Sequence, residues 1–418
     1  MMISSRRAYV WIWLPRQTFP VVAGLVERDD QDHYRFTYGR SYLTRPDAIS
    51  LFPEELPLRP GNQEKVDGAL PSCLRDASPD AWGRRVIINR LTGQKGDKAN
   101  GVDFNELVYL LESGSDRIGA LDLQQSPTDY RPQENQVATL DELQEASAYV
   151  EAGEPLPPAL DLAIQHGSSI GGARPKALLN DQDRKLVAKF SSSTDLYSVV
   201  KAEFVAMRLA QQAGLDVAPI KMARSLGKDV LLIERFDRMK TADGWGRHIV
   251  LSALTLLGLD EMMARYASYE DLAHRIRSKF NQPGKTLVEL FSRIVFNVLC
   301  GNTDDHARNH AAFWDGMHYR LTPAYDICPQ SRTGGEATQA MLLYDQERRS
   351  QLIHCLAAAE RLGLSRTQAR EIINHQIAII HDYWDAVCDE ADLSQVDRDF
   401  LWGRQFLNPF ALEGYSER

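Results

Sequence analysis

No stretch of this chain stays apolar over the roughly 20 residues that a membrane-spanning helix needs. The most apolar opening, VWIWLP at 10–15, meets charge at once. The long apolar core and small-residue cleavage site of a secretory signal are also missing. Both absences lead to the expectation of a cytoplasmic protein without a membrane partner. Cysteine is sparse: Cys73, Cys300, Cys328, Cys355 and Cys388 are odd in number, widely spaced and without a CxxC pair. That excludes a disulfide framework and a zinc ribbon and leaves each as a small, partly buried hydrophobe. Positive charge is in deficit. With 48 Lys and Arg against 57 Asp and Glu, the formal net charge is −9. Such a balance suits direct nucleic-acid binding poorly. No internal repeat and no low-complexity tract is present.

What remains is an ordinary composition, 44% hydrophobic and 25% charged, over 418 residues. That length supports two or three packed units with an ample core. AYVWIWL (8–14), VVAGLVERD and HYRFTYGRSYL read as strands of a small antiparallel sheet. SPDAWGRRVIINRL predicts a helix with Ser78 as N-cap and Pro79 at the first helical position. FNELVYLLE and LDELQEASAYVEAG predict two more, on either side of a polar linker at 126–136. Two strand pairs follow, in ARPKALLNDQDRKLVAKF and IKMARSLGKDVLLIERFDR, separated by a helix at KAEFVAMRLAQQAG. From about 250 onward the pattern is helical: LSALTLLGLDEMMARY, YEDLAHRIRSKF, KTLVELFSRIVFNVLC, RRSQLIHCLAAAERLG and RTQAREIINHQIAIIHDYWDAVCDE. β-rich material thus precedes α-rich material, an α+β arrangement.

The chemistry concentrates after KTLVELFSRIVFNVLC. Leu287, Leu290, Phe291, Ile294, Val295, Val298 and Leu299 recur at three-and-four spacing, which marks one broad buried face. Gly301 can end that helix, and GNTDDHARNH (301–310) then places Asp304, His306 and Asn309 in a loop on a rigid support. YRLTPAYDI adds Asp326 just past a short strand. An Asp and an Asn in one loop, with an Asp beyond the next hairpin, is the arrangement kinases use. The first Asp accepts the proton of the substrate hydroxyl, and the Asn and the later Asp hold Mg²⁺. Taken singly, these residues also fit helix caps and turns.

Upstream, HGSSIGGARPKALL (166–179) offers Gly171 and Gly172 for close backbone approach to a ligand, and Lys176 for phosphate. The spacing is not that of a Walker loop. KLVAKF ends an apolar strand on Lys189, suited to a phosphate clamp, and Glu203 on the next helix could orient it. A plain turn and surface side chains are the bland readings of these residues one by one. The order of the set argues for more: glycine turn, strand lysine, helix glutamate, LLIERF, DxHxxN, then Asp.

These motifs resemble those of the HipA family of bacterial serine/threonine kinases, the toxin halves of toxin–antitoxin pairs. SIGGARPKALL resembles the family's phosphate loop, VAKF its lysine strand and LLIERFDR its nucleotide-hinge strand. GNTDDHARN and YRLTPAYDI resemble its catalytic and metal motifs, the most specific part of the likeness. GLVERDDQDHYRFTYGRSYL and SDRIGALDL resemble its N-terminal domain, so the similarity covers most of the chain. The resemblance implies a bilobal kinase-like fold: an N-terminal α+β domain over 1–128, a nucleotide-binding region over 129–245 and a helical catalytic lobe over 246–418. It implies Asp304 as catalytic base, His306 in support, and Asn309 and Asp326 as Mg²⁺ ligands. Lys189 would hold the phosphates of ATP. Gly171, Gly172, Ala173, Arg174 and Lys176 would cover the nucleotide, and the backbone of Glu234, Arg235 and Phe236 would meet adenine. Autophosphorylation would fall on Ser169 or the adjacent Ser168 and expel the loop by charge. An aminoacyl-tRNA synthetase is the implied target and a HipB-like DNA-binding antitoxin the implied partner, with DNA reached only through it. Asp305 stands where the best-known member has glycine. Together with Arg308 and His310 it is assigned a solvent-facing or structural place.

Two other classes compete. A pseudokinase would keep the fold and bind without catalysis. A metal-dependent hydrolase would use His306 and His310, which share a face if the segment is helical. That reading leaves Gly171, Lys189 and Asp326 without a task.

Overall fold

The computed structural model describes residues 5–92, 104–132, 138–152, 154, 156–157, 160, 174–181, 183–192, 195–332 and 334–416. The chain is α+β and divides into two compact units. The first comprises Met1–Ser192, Arg224–Leu251 and Trp314–Met317; the second comprises Ser193–Ala223, Ser252–Phe313 and His318–Arg418. No helix among the described residues is long and apolar enough to cross a membrane.

The first unit opens with strands β1 (Arg7–Ile12), β2 (Val21–Arg28), β3 (Tyr34–Tyr38), β4 (Asn62–Gln63) and β5 (Leu121–Gln124). They form a sheet in the order β4-β3-β2-β1-β5, antiparallel throughout. Alternation sets its inner face, with Ala8, Val10 and Ile12 of β1 fully buried. The helix predicted from Ser78 starts three residues later, at Ala81. Ser78 thus lies too far upstream to be the cap, and its hydroxyl donates to Glu106 at 3.0 Å.

A second sheet contains β6 (Lys176–Asp181) and β7 (Arg184–Phe190), with the strand Lys228–Glu234 on the far side of β7. Its core is Leu143, Ala177, Ala188, Phe190 and Val230, so the helix Leu140–Ala152 packs on the sheet. Trp82 Nε1 donates to the Lys176 carbonyl at 3.1 Å and ties the helix Ala81–Thr92 to β6.

A buried charge network joins the SDRIGALDL turn, which leads into β5, to the ERFDR segment of this unit. Arg235 donates to Asp237 at 2.8 Å and to Asp116 at 2.9 Å. Arg238 donates to the same two carboxylates at 2.7 and 2.8 Å. The backbone of that turn also takes part. The Arg117 carbonyl accepts from Arg235 at 2.7 Å, and the Gly119 N–H donates to Asp237 at 2.7 Å. Burial alone would raise the Asp237 pKa. The guanidinium groups of Arg235 and Arg238 outweigh it and hold that carboxyl at about 2, and Asp116 is held well below the usual range in the same way.

The second unit is mostly helical. The helix Pro283–Leu299 packs against Tyr269–Lys279, Leu352–Ala358 and Arg366–Glu390. The last of these opens with a reciprocal cap between Ser365 and Gln368. The single helix expected over LSALTLLGLDEMMARY does not form. Ser252 caps a short helix, Ala253–Leu256, and a 3₁₀ turn follows at Ala264–Tyr266. Gly258 breaks the path at φ +68°, and Met262 and Met263 are exposed, so a longer helix has no apolar face to bury. All five cysteines are buried, more deeply than expected, and burial pushes the Cys300 and Cys355 thiols up to about 12.

Candidate active site

The site of the second unit starts from the helix Pro283–Leu299. Its apolar face carries two buried polar residues one turn apart, Arg293 and Asn297. The helix stops at Gly301, where φ is +70° and a Cβ would come within 2.8 Å of the Gln405 carbonyl oxygen. Glycine is therefore the residue that lets the chain turn there.

The following loop is a series of turns, not a helix. The shared imidazole face that a metal hydrolase would require is therefore not formed. Its two aspartates diverge: Asp304 is exposed, and Asp305 is 2% exposed. Asp305 Oδ2 accepts from Asn297 Nδ2 at 2.8 Å, from His310 Nε2 at 2.9 Å and from the Tyr269 hydroxyl. The expected structural role of Asp305 and His310 holds, but neither faces solvent. The loop carbonyls are held as well. Those of Ala307 and His310 accept from the N–H groups of Leu254 and Ala253 at 3.1 and 2.7 Å. That of Arg308 accepts from the Tyr325 hydroxyl at 2.6 Å, while the Arg308 side chain pairs with Glu261.

Asn309 is buried and donates from Nδ2 to the Asp304 carbonyl at 3.2 Å, which leaves Oδ1 as its oxygen for a ligand. The His306 carbonyl accepts the Asn309 N–H at 2.8 Å, so His306 shapes the turn through its backbone. His306 Nδ1 is buried with no hydrogen-bond partner among the described residues.

Asp326 arrives from the strand Tyr319–Leu321. Arg293 supports that approach by donating to the Thr322 carbonyl at 2.9 Å. The Ala324 N–H donates to Asp216 O at 2.7 Å. Asp326 itself has φ +58°, a left-handed conformation that is uncommon for non-glycine residues and that aspartate tolerates better than most. A relay of amides runs from Asp305 to Asn297, on to Asn302 at 2.9 Å and then to the Asp326 carbonyl at 3.4 Å. The loop and the Asp326 segment are thus set by one helix.

The electrostatics separate the two neighbouring acids. Lost hydration raises the Asp304 pKa above the ordinary carboxyl value. His306 opposes the rise, and the charges of Asp326 and Asp305 add to it. For Asp305 burial also raises, but the His310 imidazole and the Tyr269 hydroxyl outweigh it and the carboxyl is held low. One Asp is thereby suited to take a proton and the other to stay a fixed anion.

Of the remaining predicted residues, Arg174, Lys176, Lys189 and Glu234–Phe236 belong to the first unit. Lys176 and Lys189 stand directly opposite each other on β6 and β7 and are 5% and 7% exposed. Cross-strand partners share a face of the sheet, so both lysine side chains leave it on the same side. Arg174 is half-buried. Glu234 pairs with Leu186, and the Arg235 N–H donates to the Lys185 carbonyl at 2.9 Å, so that amide is engaged within the sheet. Phe236 follows, half-buried. Ser168, Ser169, Gly171, Gly172 and Ala173 lie outside the described residues. Glu203 is buried in the second unit, on the helix Val199–Gln212. Sequence reasoning missed Tyr269, Arg293, Asn297 and Asn302. The legible signal was Arg293 and Asn297, four apart within an apolar helical face.

Comparison with known structures places the fold. Over 95% of this chain and 95% of the other, it superposes on the Shewanella oneidensis toxin–antitoxin HipA, solved with HipB and its operator DNA, with a TM-score of 0.71 at 20% identity. The chain belongs to the HipA family: the HipA-like C-terminal domain matches residues 168–384 and the HipA N-terminal domain residues 16–124. Among curated relatives, the Sinorhizobium fredii protein named "Putative kinase Y4mE" is 30% identical over 53% of this chain and 57% of its own length. The "Serine/threonine-protein kinase toxin HipA" of Shewanella oneidensis is 27% identical over 38% of this chain and 42% of its own. The chain thus spans about half the length of the curated relatives it matches.

Proposed function

We propose that this chain is an ATP-dependent protein serine/threonine kinase, the toxin of a toxin–antitoxin pair. The observation that carries the reading is the exposed, raised-pKa Asp304 in a loop that also holds Asn309, with Asp326 near enough to act on its charge. Membership of the HipA family and relatives named as kinases support it. Asp304 accepts the proton of a serine or threonine hydroxyl as that oxygen becomes the nucleophile. Asn309 Oδ1 and the Asp326 carboxylate are hard oxygens of the kind Mg²⁺ takes. Bound there, Mg²⁺ and ATP would supply the phosphoryl group and neutralise its charge. Lys176 and Lys189 bind phosphate oxygens, and the backbone from Glu234 to Phe236 orients the base.

The substrate is a translation component such as an aminoacyl-tRNA synthetase, phosphorylated in the cytoplasm. A HipB-like antitoxin is the partner, and DNA is reached through it. Phosphate on Ser169 or Ser168 switches the enzyme off. Incubation with labelled ATP and Mg²⁺ tests the reading. Asp304→Ala is expected to lower transfer by about 100-fold or more. No more transfer by the wild type than by Asp304→Ala, to itself or to a lysate, would overturn catalysis by Asp304, and no transfer by either would leave the chain a binding module.

A further inference from the structure

We propose that Asp305 and His310 form a clasp that fixes the spacing between the catalytic base Asp304 and the metal ligand Asn309. The proposal rests on the kinase reading for those two residues. Two bridges, each spanning five residues, lie side by side in the loop: Asn309 Nδ2 to the Asp304 carbonyl at 3.2 Å, and His310 Nε2 to Asp305 Oδ2 at 2.9 Å. The second is displaced by one residue, so it ties together the residues that immediately follow the two working ones. Asp305 and His310 are each 2% exposed, so the bridge is shielded from water.

The clasp is also located in space. Asn297 of the helix Pro283–Leu299 and Tyr269 of the helix Tyr269–Lys279 both donate to the oxygen that His310 holds. The Tyr269 and His310 rings meet edge-on, 5.6 Å between centroids at 88°, which fixes the imidazole plane. With Asp305 drawn inward by three donors, the residue before it is turned out to solvent. A buried pair of this kind is weak as a source of stability and strong as a source of geometry. Asp305 and His310 are accordingly positioning residues, acting through Asp304 and Asn309.

The test uses two variants of nearly equal size in the full chain. His310→Gln keeps an amide that can donate to Asp305, and His310→Met does not. At saturating ATP, His310→Met is expected to lower kcat about 100-fold, the scale of a 1 Å misplacement, and His310→Gln to stay within about tenfold of wild type. The KM for ATP should move less than about threefold in both. Adding Asp305→Ala to His310→Met should cost clearly less activity than the product of the two single losses, because the bridge is common to both. Amide exchange at Asn309, Ala253 and Leu254, whose N–H groups bond the loop carbonyls, should quicken in His310→Met and not in His310→Gln. Equal behaviour of the two variants in both readouts, or losses that multiply in the double variant, would overturn the clasp. An inactive wild type would overturn the kinase reading instead, and the exchange measurement would still decide the clasp.

Discussion

Asp304 and Asp305 show how much one peptide bond can separate. Both were visible in the sequence as acids following an apolar helix, and Asn309 and Asp326 were legible on the same ground. Which acid points outward was not legible. A loop has no periodicity, so facing is decided by partners that come from elsewhere, here Tyr269, Asn297 and His310. Replacing Asp305 by alanine leaves three buried donors without their acceptor. A loss of about 3–5 kcal/mol is expected, read from the urea midpoint at unchanged slope. Gly301→Ala meets two penalties, a left-handed φ of +70° and a carbonyl 2.8 Å from the new Cβ. It should cost about 2–3 kcal/mol in the same measurement.

Among the elements, the helix Pro283–Leu299 was the most legible, since its apolar repeat survives any change in the rest of the fold. Its two interruptions carry the functional information. Arg293 holds the strand that leads to Asp326, and Asn297 bonds to both Asp305 and Asn302. Asn297→Ala should destabilise by about 1–3 kcal/mol through unpaired partners. It should also lower kcat, whereas Leu290→Ala, in the apolar core, should cost about 2–5 kcal/mol with activity per folded molecule retained. Unfolding curves and initial rates on the same samples separate the two. The segment after Ser252 was misread because abundant Leu and Met imitate a helix even where nothing is available to bury them.

For the whole molecule, net charge said little, because it does not locate charge. The acids that matter most to the first unit are internal. Asp237 and Asp116 are ionised among guanidinium groups, their pKa values depressed below the unfolded carboxylate value. Stability from them is complete above about pH 4, the ordinary carboxyl value, and is lost as pH falls toward the folded-state value of about 2 for Asp237. Acid titration of unfolding should therefore steepen below about pH 4, and Asp237→Asn should flatten that slope while lowering stability at neutral pH. Sequence could name both motifs, SDRIGALDL and LLIERFDR, but not their embrace, because more than a hundred residues separate them.

That embrace limits how the gene can be cut. A chain begun after β5, at the boundary the sequence itself suggests, would carry Arg235, Asp237 and Arg238 without the backbone and carboxylate of residues 116–119 that pair with them. Limited proteolysis at the polar stretch near 126–132 is expected to leave two fragments that stay together through gel filtration, and expression of the downstream fragment alone to yield insoluble protein. The ERFDR segment is not portable; it is finished by a turn made before it.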